Sequence, residues 1–113
     1  MYKIYHNPKC KKSRCGLDYL KNKTDKIEII DYLKQGLSLK EMTEIIARLN
    51  IKPIELVRTQ EELYKKELKN RQFTDEEWVR IIIENPKLLR RPIIINKMKA
   101  VIGDPAEDID RLF

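Results

Sequence analysis

The run YKIYHNPKCKKSRCGLDYL, Tyr2 to Leu20, carries three features in a row. Tyr2 to Tyr5 is a short β-type run at the start of the chain. His6 to Cys10 is a loop, marked by the turn signal Asn7-Pro8. From about Lys11 to Asn22 the sequence reads as a helix, with Leu17 and Leu20 on one face. A cysteine, Cys10, therefore stands where a strand should end and a helix should begin.

Ile27 to Tyr32 (IEIIDY) predicts a second strand, which makes the opening unit β-α-β. Ser38 then opens a helix: its side chain can cap the helix start while Glu41 reaches back, a capping box. Leu39, Met42, Ile45, Ile46 and Leu49 follow at helical spacing. A short helical piece, Pro53 to Val57, leads into a polar stretch, Thr59 to Gln72, read as mobile. Thr74 with Glu77 repeats the capping-box pattern. Trp78, Ile81 and Ile82 form its buried stripe, and Asn85-Pro86 ends that helix. Pro92 to Ile95 and Lys99 to Ile102 read as two paired strands, and Pro105 opens a last helix to about Phe113. The order is β-α-β-α-α-(α)-β-β-α. This predicts an α/β protein with a thioredoxin-like fold. One domain spans residues 1–113, with a helical insertion at about 38–88 between the N-terminal βαβ and C-terminal ββα units.

Composition narrows the function. A chain of 113 residues supports one hydrophobic core and not two. Apolar residues at 42% and charged residues at 37% are the balance of a soluble globular protein rather than a disordered one. No apolar run reaches the roughly 18 residues a membrane span needs. The opening MYKIYHNPKC lacks the basic start and apolar stretch of a secretory signal. The reading is a cytoplasmic protein whose two cysteines are reduced at rest. The net charge of +6 is spread along the chain, with small clusters at Lys9 to Arg14 and Lys65 to Arg71. That pattern fits a solvated surface or a small anionic substrate better than DNA, and direct DNA binding is not expected.

The chemistry starts with Cys10. At a helix start, unpaired N–H groups and the positive end of the dipole stabilise a thiolate, the nucleophilic form. Lys11, Lys12 and Arg14 add positive charge, and His6 adds more if its ring faces the sulfur. The pKa of Cys10 should be depressed. The plainer alternative is a buried, inert cysteine, but the neighbours Asn7, Pro8, Lys9, Lys11, Lys12 and Ser13 are not apolar. His6 is the lone histidine and reads either as a structural hydrogen-bonder or as a helper of Cys10. One histidine and two cysteines at C-x4-C spacing do not make a metal site, so none is expected. Cys15 is open: a resolving cysteine, a small packing residue or a spectator. In helical projection it lies about 160° from Leu17, so a bridge to Cys10 requires the first turn to unwind.

Three segments together resemble the glutaredoxin-coupled arsenate reductase and Spx family. They are His6-Asn7-Pro8-Lys9-Cys10-Lys11-Lys12-Ser13-Arg14, Leu56-Val57-Arg58, and Asn85 through Ile95 (NPKLLRRPIII). The similarity covers nearly the whole chain, in order. The phosphatase-like kind of arsenate reductase is excluded, since Gly16 stands where its C-x5-R motif needs arginine. The resemblance implies that Cys10 is the nucleophile, and that His6, Ser13 and Arg14 shape and polarise its loop. It implies that Arg58 and Arg91 hold an oxyanion, and that Pro92 is cis and faces the cysteine. Arginine stays charged and offers forked donors to such an anion. Without the resemblance, Arg58, Arg90 and Arg91 read as surface or ion-pair residues; Arg90 is left structural. One departure stands out. The family's arsenate reductases carry a third arginine just before a proline in the last loop, whereas here Asp104 precedes Pro105. A carboxylate there should repel an oxyanion.

The resemblance leaves two functional classes. One is a thiol-dependent reductase of an oxyanion or small disulfide, with no bound cofactor and with glutathione or glutaredoxin as electron donor. The other is an Spx-like redox regulator that binds the RNA polymerase α subunit. Ser13 removes the C-x-x-C switch that the second class uses.

Overall fold

The computed structural model describes residues 1–113. Its strands are β1 (Tyr2–His6), β2 (Ile27–Asp31), β3 (Ile93–Ile95) and β4 (Ala100–Ile102). Its α-helices are α1 (Lys11–Lys21), α2 (Tyr32–Gln35), α3 (Leu39–Leu49) and α4 (Asp75–Glu84). The chain divides into two compact units, one of residues 1–35 with 91–113, the other of residues 36–90.

The first unit holds the sheet, in strand order β2-β1-β3-β4. β1 and β2 are parallel, from Tyr2 opposite Ile27 to His6 opposite Asp31. α1 makes the crossover that parallel neighbours require. β3 runs antiparallel to β1, with Tyr5 opposite Ile93, and β4 antiparallel to β3, with Ile93 opposite Ile102. Alternation along β1 sends Ile4 into a core with Leu17, Leu20, Ile94, Val101, Ile109 and Leu112. Leu17 and Leu20 are the apolar face read from the sequence. This is the thioredoxin-like α/β plan expected above.

The second unit is helical. Both capping boxes form. Ser38 Oγ accepts from Glu41 N–H at 3.0 Å, and Thr74 Oγ1 accepts from Glu77 N–H at 3.1 Å. Each glutamate returns a bond to its cap N–H, at 3.0 and 2.8 Å. Met42 and Ile45 of α3 and Trp78 and Ile82 of α4 are buried.

Several boundaries differ from the sequence reading. Tyr32 opens the short helix α2 rather than closing β2, and its side chain is fully buried. Within Thr59 to Gln72 the chain makes a π-helical turn, Tyr64–Leu68, with Leu68 buried. The segment after Pro105 is a 3-10 helix, Ala106–Leu112, rather than an α-helix.

Candidate active site

β1 and α1 deliver Cys10 as a helix cap. Its backbone is extended, φ −99° and ψ 125°, and its carbonyl accepts the first helical bond, from Arg14 N–H at 3.0 Å. It thus lies outside the helix proper, and the angular projection that treats it as helical does not apply to it. Asn7 makes the turn that sets it there. Its side-chain Oδ1 accepts from Lys9 N–H at 3.0 Å and its carbonyl from Cys10 N–H at 3.0 Å. The sequence reading marked Asn7 as a turn residue and did not count it among the site residues. Its signal was the Asn-Pro turn itself, since asparagine bonds its own backbone two residues on.

No side chain caps α1, and its first turn contains no acidic residue. The N–H groups that a cap would satisfy are turned to the sulfur instead. Burial pushes the Cys10 thiol up. The Ser13 N–H, the Arg91 guanidinium as donor and as charge, and the Lys12 N–H outweigh it and hold the thiol below its ordinary value. This is the direction expected from sequence. The sulfur is only part-buried, so it combines thiolate character with access.

Ser13 is fully buried and serves two neighbours. Its hydroxyl lies 2.7 Å from His6 Nδ1 and accepts from Asn7 N–H at 2.9 Å. His6 corrects one expectation. Burial is the largest influence on its pKa and lowers it. Lys21 and Arg14 act in the same direction, and Asp31 only partly opposes them. The ring is neutral near pH 7 and adds no positive charge beside the sulfur; it holds Ser13 and the loop. Arg14 donates from Nη1 to Pro8 O at 3.0 Å, which ties the loop to the helix.

Arg91 is buried, and its peptide bond to Pro92 is cis. Pro92 packs on α1 at Gly16. A Cβ added to Gly16 would stand 2.4 Å from Pro92 Cγ and 3.3 Å from Gly103 O, so this close approach requires glycine. Gly103 N–H donates to Pro92 O at 2.8 Å. The next residue, Asp104, begins a second cis bond, to Pro105. The carboxylate, which the sequence reading expects to repel an oxyanion, has a cationic partner. Lys12 Nζ lies 3.1 Å from Asp104 Oδ2. Cys10, His6, Ser13, Arg14, Arg91 and Pro92 are thus gathered in one unit. Cys10 and Cys15 are both free thiols, and Cys15 is exposed on α1.

Arg58 belongs to the second unit. Its backbone N–H donates to Leu88 O at 2.7 Å, beside a bridge between Val57 and Leu89. Its guanidinium is bound by the Glu61 carboxylate, a partner the sequence reading missed. Arg90 donates to Glu55 O at 3.3 Å, which agrees with a structural role. No cluster of three metal-binding side chains exists.

A thiol capping the first helix of this sheet, with a cis-proline loop packed on the same helix, defines a thioredoxin-like thiol protein. Residues 5–112 match the ArsC family, and the chain belongs to that family. It is 41% identical over 108 residues to an arsenate reductase of Haemophilus influenzae, covering 94% of this chain and 93% of that protein. It is 34% identical over 110 residues to one of Neisseria meningitidis, covering 96% and 94%. A solved structure described as an arsenate reductase from Vibrio cholerae superposes with TM-score 0.91 at 34% identity, over 99% of this chain and 97% of that one. These likenesses support an arsenate reductase-like, thiol-dependent function and give the polymerase-binding alternative no support. No helix is long and apolar enough to cross a membrane.

Proposed function

We propose that the protein is a cytoplasmic, thiol-dependent reductase in which Cys10 attacks an oxyanion, arsenate by family resemblance, or a small disulfide. The observation that carries this reading is the convergence of the Ser13 and Lys12 N–H groups and the Arg91 guanidinium on the Cys10 sulfur. Those donors favour the thiolate before reaction. Arg91 also offers a charged, forked donor to an arriving oxyanion. His6, Ser13 and Arg14 act as positioning residues that keep the loop in shape. Arg58 enters as a second oxyanion-holding arginine on the resemblance alone. In an arsenate reductase the thiolate forms a cysteine–arsenic adduct. Glutathione and glutaredoxin then reduce and release it, so no bound cofactor is needed.

The test is turnover of arsenate and of a glutathione mixed disulfide by purified protein, supplied with glutathione and glutaredoxin. Turnover of at least one substrate that is abolished in Cys10→Ser and strongly reduced in Arg91→Ala is expected. Turnover of neither, or turnover that survives Cys10→Ser, overturns the reading.

A further inference from the structure

Helices α3 and α4 pack on one another and bury Met42, Ile45, Trp78 and Ile82. Each helix also carries a second apolar stripe beside this core. On α3 it is Leu39, Ile46 and Ala47, at spacing i, i+7, i+8; on α4 it is Val79 and Ile83, at spacing i, i+4. The two stripes line one open groove of about 830 Å³, which continues past the end of α3 to Ile51 and Pro53. Leu39 is 65% exposed, so apolar surface here faces water. Four charged side chains line the same groove: Lys52, Asp75, Glu76 and Arg80. All four are exposed, and none makes an ion-pair contact within the chain.

The balance of charge decides what fits. An anionic amphiphile meets Asp75 and Glu76, and a cationic one meets Lys52 and Arg80. A neutral apolar molecule leaves all four charges unpaired at the edge of a contact that excludes water, which costs free energy. The surface that complements two acids and two bases around an apolar strip is one that carries the same set, and the groove is itself such a surface. A two-fold axis makes the pairing reciprocal: where residue i of one copy meets residue j of the other, j also meets i. Glu76 and Arg80 carry opposite signs one helical turn apart on α4. When α4 of two copies runs antiparallel and the axis crosses between these positions, Glu76 of each copy faces Arg80 of the other. We propose that the α3–α4 groove is a docking surface for a second copy of this chain. Apolar contact through Leu39, Ile46, Ala47, Val79 and Ile83 and the two reciprocal Glu76–Arg80 pairs hold the copies together. Exposed pairs contribute modestly, so the dimer is weak and sensitive to salt.

Sedimentation equilibrium of the whole chain tests this, with both free thiols kept reduced so that no disulfide links two copies. The mass should rise from 13.6 kDa toward twice that value as concentration goes from about 1 to about 500 μM, and should rise less in added salt. Ala47→Glu keeps a good helix former and sets a carboxylate in the groove. Glu76→Arg and Arg80→Glu each set like charges opposite one another. Every substitution enters a two-fold interface twice, so each of the three should weaken the dimer by about 10-fold or more. Glu76→Arg combined with Arg80→Glu in one chain should restore dimerisation, and so should an equimolar mixture of the two single variants. Circular dichroism checks that each variant keeps its fold, and rescue is a result that a loss of folding cannot give. A monomer at every concentration overturns the proposal. So does a dimer that all three substitutions leave intact, or one whose loss neither the double variant nor the mixture repairs. A chain that stays monomeric and binds laurate, with binding removed by Ala47→Glu, assigns the groove to an amphiphile and overturns the proposal as well.

Discussion

Helices α1 and α4 begin in opposite ways. α4 closes its own N-terminus: Thr74 and Glu77 exchange bonds, and Asp75, Glu76 and Glu77 put three carboxylates on the positive end of the dipole. Each choice favours the helix locally. α1 makes none of them. Its cap residue is a cysteine without a side-chain cap bond, no acid lies in its first turn, and Lys11, Lys12 and Arg14 stand there instead. Cations at a helix N-terminus are locally unfavourable. What they and the open N–H groups favour is an anion supplied from the cap position, the Cys10 thiolate, or one supplied from solvent. The same backbone geometry is spent on stability in α4 and held open for chemistry in α1.

Substitutions at the two helices should separate these uses. The largest effect is expected at Cys10: Cys10→Ser should remove reductase turnover to background while circular dichroism stays native, because serine also caps helices. Next comes the helix face that the site leans on. Gly16→Ala sets a methyl 2.4 Å from Pro92 Cγ. It should destabilise the protein by about 1–3 kcal/mol, the range for overpacking, read as a lower urea midpoint. It should also slow Cys10 alkylation, since Pro92 adjoins Arg91. A Gly16→Ala protein with wild-type stability and alkylation rate would show that the contact relaxes freely. Thr74→Ala tests the other helix. It should cost about 1 kcal/mol in the same urea titration and leave the Cys10 alkylation rate at wild type. A changed alkylation rate would break the division of labour drawn here.

The smallest expected effect is in pH dependence. His6 in the folded protein has a pKa below its ordinary 6.5, chiefly through burial. The unfolded chain therefore binds more protons as pH falls through about 6.5, and stability should fall with it. His6→Gln should flatten that part of the stability curve. A slope unchanged by the substitution would assign it to other groups.

The parts of this molecule that were legible in the sequence are those whose physics is local. The Ser38–Glu41 and Thr74–Glu77 boxes span three residues each, and both form. The spacing of Leu17 and Leu20 marked the buried face of α1, and the strand-loop-helix order placed Cys10 at a helix start. Less came through where a side chain's state depends on distant chain. Burial neutralises His6, and no neighbouring residue signals that. Asp104 read as a bare repulsive charge because its partner, Lys12, is far away in sequence. Gly16 was read only as a missing arginine, while its reason is a proline brought against it by the fold. Tyr32 was read as the end of β2 because an apolar run cannot show where its backbone turns into a helix.

The central claim is that the open start of α1 holds Cys10 as a thiolate. It is tested most directly by the pH dependence of iodoacetamide alkylation in a Cys15→Ser background, where only Cys10 reports. The account predicts a midpoint clearly below about 8.5, the value of a free cysteine, and an upward move of that midpoint in Arg91→Ala. A midpoint at or above the free value, or one that Arg91→Ala leaves in place, would contradict it.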